Sequence, residues 1–214
     1  NNFFEKNCNR ISIPKNKYFL CVSRLLKRKN LINLIKSFAD YQNMGGKWGL
    51  KIIGSGDQLN DLIKSSKIIP NKEVFEIINW LQIGELINYY KDASAFILPS
   101  YFDNWGLVVN EAIASGLPCI VSDNCGCAVD LILHNESGFI FDPFKKNELS
   151  LFMKNIENQS LDERNAMIKL AKNNLQRFDL NSFSTNFKKA INEAFKKPKF
   201  SIFSIILLKI ISLV

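Results

Sequence analysis

Six short apolar runs, each leading into a stretch with apolar residues at helical spacing, constrain this chain more than any other feature. The runs are Tyr18–Val22, Leu50–Ile53, Val74–Ile78, Ala95–Leu98, Cys119–Val121 and Gly138–Phe141. They do not alternate apolar with polar, as strands with one solvated face do, so both faces of each should be covered. Between them, Leu31–Tyr41, Gln58–Lys64, Ile83–Tyr90, Leu107–Ala114 and Val129–Leu133 read as helices, and Lys146–Asn158, Leu161–Arg177 and Asn181–Phe195 as three closing ones. Pro99-Ser100 stops the fourth strand and Gly116-Leu117-Pro118 stops its helix. The expected fold is α/β: a doubly wound, Rossmann-like parallel sheet of about six strands flanked by helices, with C-terminal helices and an apolar tail. Such sheets bind ligands beyond the carboxyl ends of their strands. The loops to inspect are Ser23–Asn30, Gly54–Asp57, Asn79–Gln82, Pro99–Gly106 and Ser122–Ala128.

Composition agrees with a packed domain. Hydrophobic residues make up 47% of 214 and charged ones 22%, which excludes a disordered chain, a collagen-like one and a disulfide mini-protein. The five cysteines include no C-x-x-C, so neither a zinc ribbon nor a thioredoxin motif is supported and reduced thiols are expected. Cys125-Gly126-Cys127 reads either as two small turn residues or as a reactive pair. The net charge of +8 points to an anionic partner. No aromatic-interleaved RNA motif accompanies it, so nucleic acid is not an expected partner.

The loop after the fourth strand is the most informative. Asp103-Asn104-Trp105-Gly106 leads into a helix that carries Glu111. The free amides of Gly106, Leu107 and Val108, with the helix dipole, favour an anion such as phosphate. Asp103 and Glu111 would accept from ligand hydroxyls; the alternative is a helix cap and a solvated carboxylate. The loop after the first strand holds Arg24, Lys27, Arg28 and Lys29, fixed positive charge of the kind a diphosphate needs, or else an ordinary basic turn. Gly54-Ser55-Gly56 follows the second strand and lacks the third glycine of a dinucleotide fingerprint. The three features converge on one sheet edge.

With these residues the sequence resembles the C-terminal, donor-binding domain of GT-B fold, family-four retaining glycosyltransferases, the "glycosyl transferases group 1". The family's G-R-L-x-x-x-K-[GN] is matched by Ser23 to Asn30 and its I-x-G-x-G by Ile52 to Gly56. Its long P-S-x-x-E-x-[FW]-G-L-V-x-x-E-A segment is matched from Pro99, and its N-G-x-x-x-x-P, with Ser in place of Asn, by Ser137 to Pro143. The resemblance implies a nucleoside-diphosphate sugar as donor substrate, no cofactor and no metal, and the chain has no D-x-D pair. It implies that Arg24 and Lys29 grip the diphosphate, Asp103 contacts the sugar and Glu111 the ribose. Gly54, Gly56, Asn104, Trp105, Gly106, Leu107 and Val108 would hold sugar and phosphate, and Asn79, Trp80 and Leu81 would border the base. Two departures stand out: Asp103 replaces the family's Glu, and Ser23 its Gly. The remaining alternative is a non-catalytic nucleotide-sugar-binding module.

The resemblance further implies half of a two-domain enzyme, with residues 1–17 a linker from a missing N-terminal acceptor domain, 18–195 the donor domain and 196–214 a basic, apolar tail. The tail fits either an anionic membrane surface, as for a lipid-linked acceptor, or the missing domain. A saccharide acceptor, a role in cell-surface polysaccharide or lipopolysaccharide synthesis, and a cytoplasmic or peripheral membrane location complete the expectation.

Overall fold

A computed structural model describes residues 2–8 and 17–195. The described chain divides into two compact units, the first ending at Gln176 and the second beginning at Arg177. The first opens with a short helix α1 (Asn2–Asn7), inside the stretch expected as linker. It continues β1 (Tyr18–Val22), α2 (Leu31–Asn43), β2 (Gly49–Ile53), α3 (Leu59–Ser65), β3 (Phe75–Ile78) and α4 (Ile83–Asp92). Then come β4 (Ala95–Leu98), α5 (Leu107–Ala114), β5 (Cys119–Ser122), α6 (Ala128–Leu131), β6 (Phe139–Phe141), α7 (Glu148–Asn158) and α8 (Leu161–Gln176).

The six strands form one parallel sheet in the order β3-β2-β1-β4-β5-β6. Parallel strands need crossover connections, which lay helices on both faces and explain why β4 and β5 are buried throughout. Helices α2, α3 and α7 pack together, and so do α1, α5, α6 and α8. A cluster including Phe19, Leu34, Phe38, Leu50, Ile97 and Ile120 fills the interior. Trp48 is buried within it, its ring tilted at 41° to that of Phe19 with centroids 5.1 Å apart, a packing residue.

Val74, expected to open the third strand, instead closes a single 3-10 turn (Lys72–Val74). The Asn71 side chain caps that turn by accepting from the Glu73 amide at 3.0 Å. The second unit holds α9 (Leu180–Phe195), whose start is capped by Asp179 accepting from the Ser182 amide. Phe183 and Phe187, one turn apart on α9, stack at 5.7 Å. No helix among the described residues is long and apolar enough to cross a membrane. The tail expected at 196–214 lies outside them.

Candidate functional site

The strand order reverses between β1 and β4: the chain leaves β1 toward β2 on one side and β4 toward β5 on the other. Loops that diverge at such a switch point leave a crevice beyond the sheet. Here they are zipped into one continuous rim. The Leu25 amide donates to Ser55 O at 2.9 Å and the Gln58 amide to Leu25 O at 3.0 Å, joining the loops after β1 and β2. The Tyr101 amide donates to Arg28 O at 2.8 Å and Asn30 Nδ2 to Pro99 O at 2.9 Å, joining those after β1 and β4. The Gly126 amide donates to Asp103 O at 3.0 Å and the Cys127 amide to Trp105 O at 3.0 Å, which adds the loop after β5.

A 3-10 turn, Lys27–Lys29, sorts the basic residues of the first loop. It turns Lys29 inward, 9% exposed, and leaves Arg24, Lys27 and Arg28 outside. Asn30 then takes a left-handed conformation (φ 58°), which Asn tolerates better than most residues, and α2 starts there. Lys29 Nζ is ion-paired with Asp103 Oδ2 across the switch point. Arg28 Nη1 lies 3.9 Å from Asp103 Oδ1 and donates to Phe102 O at 3.2 Å, while Ser100 Oγ, fully buried, sits 3.5 Å from Oδ2. Asp103 is thus held by cations of the neighbouring loop. The Arg24 side chain stands exposed, with no hydrogen bond or ion pair among the described residues.

Gly106 is the first residue of the α5 approach, with φ +102°. A Cβ there would lie 2.7 Å from Leu98 Cδ2 and 3.2 Å from Cys127 Sγ, so the helix begins this close to the sheet only because the residue is glycine. Among the described residues nothing accepts from the amides of Gly106, Leu107 and Val108, so three donors stand open at the start of α5. Trp105 Nε1 donates to Asn110 Oδ1 at 2.9 Å, anchoring the ring against the helix, while Asn104 is exposed. Burial pushes the Cys125 and Cys127 thiols up to about 12, so both stay protonated at neutral pH and serve as small loop residues.

Glu111 sits one turn further along α5 and accepts from Tyr90 Oη at 3.0 Å. Burial raises its carboxyl above the ordinary carboxylate range, and the Tyr90 bond offsets part of that rise. The folded protein therefore binds this proton more tightly than the unfolded chain. The stability linked to it is fully present below the unfolded value and is lost as pH rises through the folded one. Glu111→Gln is accordingly expected to raise Tm at pH 7 by about 2–4 °C, on the order of 1 kcal/mol. The gain should shrink toward pH 4 while nucleotide affinity falls. Melting curves at both pH values check it, and an unchanged or lower Tm at pH 7 would contradict it.

Beyond β2 and β3 a cavity of about 500 Å³ is lined by Gly54, Ser55, Gly56, Phe75, Ile77 and Asn79 among others. It brings together the two glycines and the Asn79 named from sequence, whereas Trp80, 61% exposed, and Leu81 do not line it. His134 takes a structural place, its Nδ1 accepting from the Ile140 amide at 3.0 Å. Sequence reasoning named Arg28 only within the basic run and assigned no role to Asn30, Ser100, Asn110 or Tyr90. Asn30 carried a signal, an Asn where the chain needs positive φ; the other three meet the site through contacts that leave no trace in spacing.

The family described as "Glycosyl transferases group 1" matches residues 4–174. An "Uncharacterized glycosyltransferase" of Haemophilus influenzae is 33% identical over 134 residues, covering 62% of this chain and 37% of that protein. A sucrose synthase of Solanum tuberosum is 29% identical over 140 residues, covering 58% and 17%. The chain thus spans well under half the length of these curated relatives. Among solved structures, the E. coli one described as trehalose-6-phosphate bound with UDP-2-fluoro glucose superposes with a TM-score of 0.74 at 15% identity, over 88% of this chain and 49% of that one. The C-terminal domain of a glycosyl transferase group 1 family protein from Francisella tularensis gives 0.69 at 17% identity, over 82% and 93%. The lipopolysaccharide outer core galactosyltransferase WaaB gives 0.71 at 23% identity, over 87% and 55%. The sheet is that of the C-terminal, Rossmann-like half of the GT-B fold.

Proposed function

Because the chain belongs to the glycosyl transferases group 1 family, we propose that this rim binds a nucleoside-diphosphate sugar and takes part in passing the sugar to a lipid-linked or saccharide acceptor. The observation that carries the reading is the meeting of Lys29 and Asp103 across the switch point, beside the open amides of α5. As the sugar leaves, negative charge grows on the departing diphosphate. A buried lysine, an exposed Arg24 and a helix N-terminus stabilise that charge without moving far. In this reading the diphosphate takes Lys29 from Asp103, and the released carboxylate turns to the sugar hydroxyls. Glu111 accepts from the ribose, and the cavity beyond β2 and β3 receives the base. The cations do the work a metal would do, so transfer is metal-independent, and the hexosyl group keeps its anomeric configuration.

The acceptor side is proposed to come from a separate N-terminal domain, and the reaction to serve cell-surface polysaccharide or lipopolysaccharide synthesis on the cytoplasmic face of the membrane. The likeness to WaaB, a lipopolysaccharide galactosyltransferase, supports that role. The test is a donor-turnover assay on the full-length enzyme with labelled UDP-, GDP- and ADP-sugars, with and without EDTA. One donor is expected to bind and to release its nucleoside diphosphate at a rate EDTA leaves unchanged. Binding with no turnover would favour a binding module, and no binding at all would sink the donor reading.

A further inference from the structure

Glu111, one turn into α5, has one oxygen already held, and the group that holds it lies outside the motifs named from sequence. Tyr90, on the last turns of α4, is fully buried and donates from Oη to Glu111 Oε2 at 3.0 Å. Its ring has little freedom. Phe96 of β4 stacks on it at 6.0 Å and 19°, and Phe4 of α1 meets it edge-on at 5.2 Å and 76°. Phe4 is itself 5% exposed. Wedged between two rings, the phenol delivers its hydroxyl to one point in space. Burial, together with the Glu111 charge, pushes the Tyr90 hydroxyl well above its ordinary value, so it remains a donor to the carboxylate at any working pH. Among the described residues Glu111 Oε1 has no hydrogen-bond partner, although the chain's N-terminal charge also acts on the carboxylate.

We propose that Tyr90 is a positioning residue for nucleoside recognition: by fixing Glu111 Oε2, it presents Oε1 to the ribose hydroxyls of a nucleoside diphosphate. The inference rests on the donor reading above and adds to it a residue from α4 that acts only through Glu111. Phe4 is the backstop of the arrangement. A carboxylate on a flexible side chain meets a diol in many orientations, whereas one anchored at Oε2 loses little freedom on binding.

The experiment measures affinity of the full chain for UDP, GDP and ADP, and for the 2′,3′-dideoxy form of each, by titration calorimetry. The wild type is expected to prefer the ribose form of its best nucleotide by about tenfold or more. Tyr90→Phe should bring that preference down to about twofold while leaving affinity for the dideoxy form within about twofold of wild type. Glu111→Gln should do the same, and the double variant should lose no more than either single one, the mark of residues acting as a unit. A purely structural Tyr90 would weaken both nucleotide forms alike. Should Tyr90→Phe fail to fold, Phe4→Leu loosens the ring without touching the hydroxyl and is expected to lower the ribose preference about two- to threefold. Retention of the full preference in the variants, equal losses for both forms, or additive effects in the double variant would overturn the proposal. A wild type that binds none of the nucleotides would instead overturn the donor reading on which it rests.

Discussion

Lys29→Ala is expected to lower affinity for the nucleoside diphosphate by about 30- to 100-fold, and donor turnover by about 10²–10³-fold. The affinity loss should be far smaller for the matching monophosphate, because in the proposed reading the missing charge acts on the diphosphate and not on the base or ribose. The same change should destabilise the fold. Lys29 and Asp103 are both largely shielded, their side chains 11% and 13% exposed. Removing the lysine leaves Asp103 with Arg28 at 3.9 Å and Ser100 at 3.5 Å. Stranding a shielded charge in this way costs about 2–4 kcal/mol, or roughly 5–12 °C of Tm in a chain of this size. The two effects separate in Lys29→Met with Asp103→Asn, where neither charge remains to be stranded. That double variant is expected to recover most of the lost stability and none of the lost turnover. Arg24→Ala supplies the contrast: an exposed side chain outside any pair should lose activity with Tm nearly unchanged. Diphosphate affinity within threefold of wild type in Lys29→Ala would show that the grip lies elsewhere on the rim.

The contrast between Arg24 and Lys29 also shows where the sequence stops being legible. Both belong to one run of four cations in six residues, and nothing in the run distinguishes them. The distinction comes from the 3-10 turn Lys27–Lys29 and the left-handed Asn30, which bury one cation and leave the others in solvent. The sheet was legible because burial on both faces removes polar residues from the strands themselves, a local mark. The loops that build the rim followed from the rule that ligands sit beyond carboxyl strand ends. The placement of Asp103 and Glu111 around the start of α5 was legible too, since helix geometry ties spacing to position. Their partners were not. Lys29 is 74 residues from Asp103, and Tyr90 is 21 from Glu111 and on a different helix. Such contacts are made by topology, which brings together side chains far apart in the chain. The same holds for α1: a stretch expected as linker proves to supply Phe4 to the packing around Tyr90.

Gly54→Ala is expected to be the most disruptive small substitution in the rim, lowering stability by about 3–5 kcal/mol and abolishing nucleotide binding. Gly54 has φ +155°, and a Cβ on it would fall 1.8 Å from Ser23 O and 2.9 Å from Ser23 C. Those atoms cannot swing aside as a side-chain end can. The Ser23 amide donates to Ile53 O at 3.0 Å and the Gly54 amide to Ile78 O at 2.9 Å, so the ends of β1, β2 and β3 are tied at this point. Relief requires pushing the loop after β1 away from β2, which breaks the bonds from Leu25 to Ser55 and from Gln58 to Leu25. That movement also displaces Lys29 from Asp103, and so the loss of binding should exceed what the fall in folded fraction explains. Gly84→Ala makes the same chemical change on α4, where the added carbon meets nothing within 4 Å. It should be neutral or stabilising by about 0.5–1 kcal/mol, because alanine favours helix. Thermal melts paired with nucleotide titration of the two variants decide the matter. If Gly54→Ala melts near wild type and still binds, the loops after β1 and β2 are not rigidly joined, and the diphosphate site must be able to form without that junction.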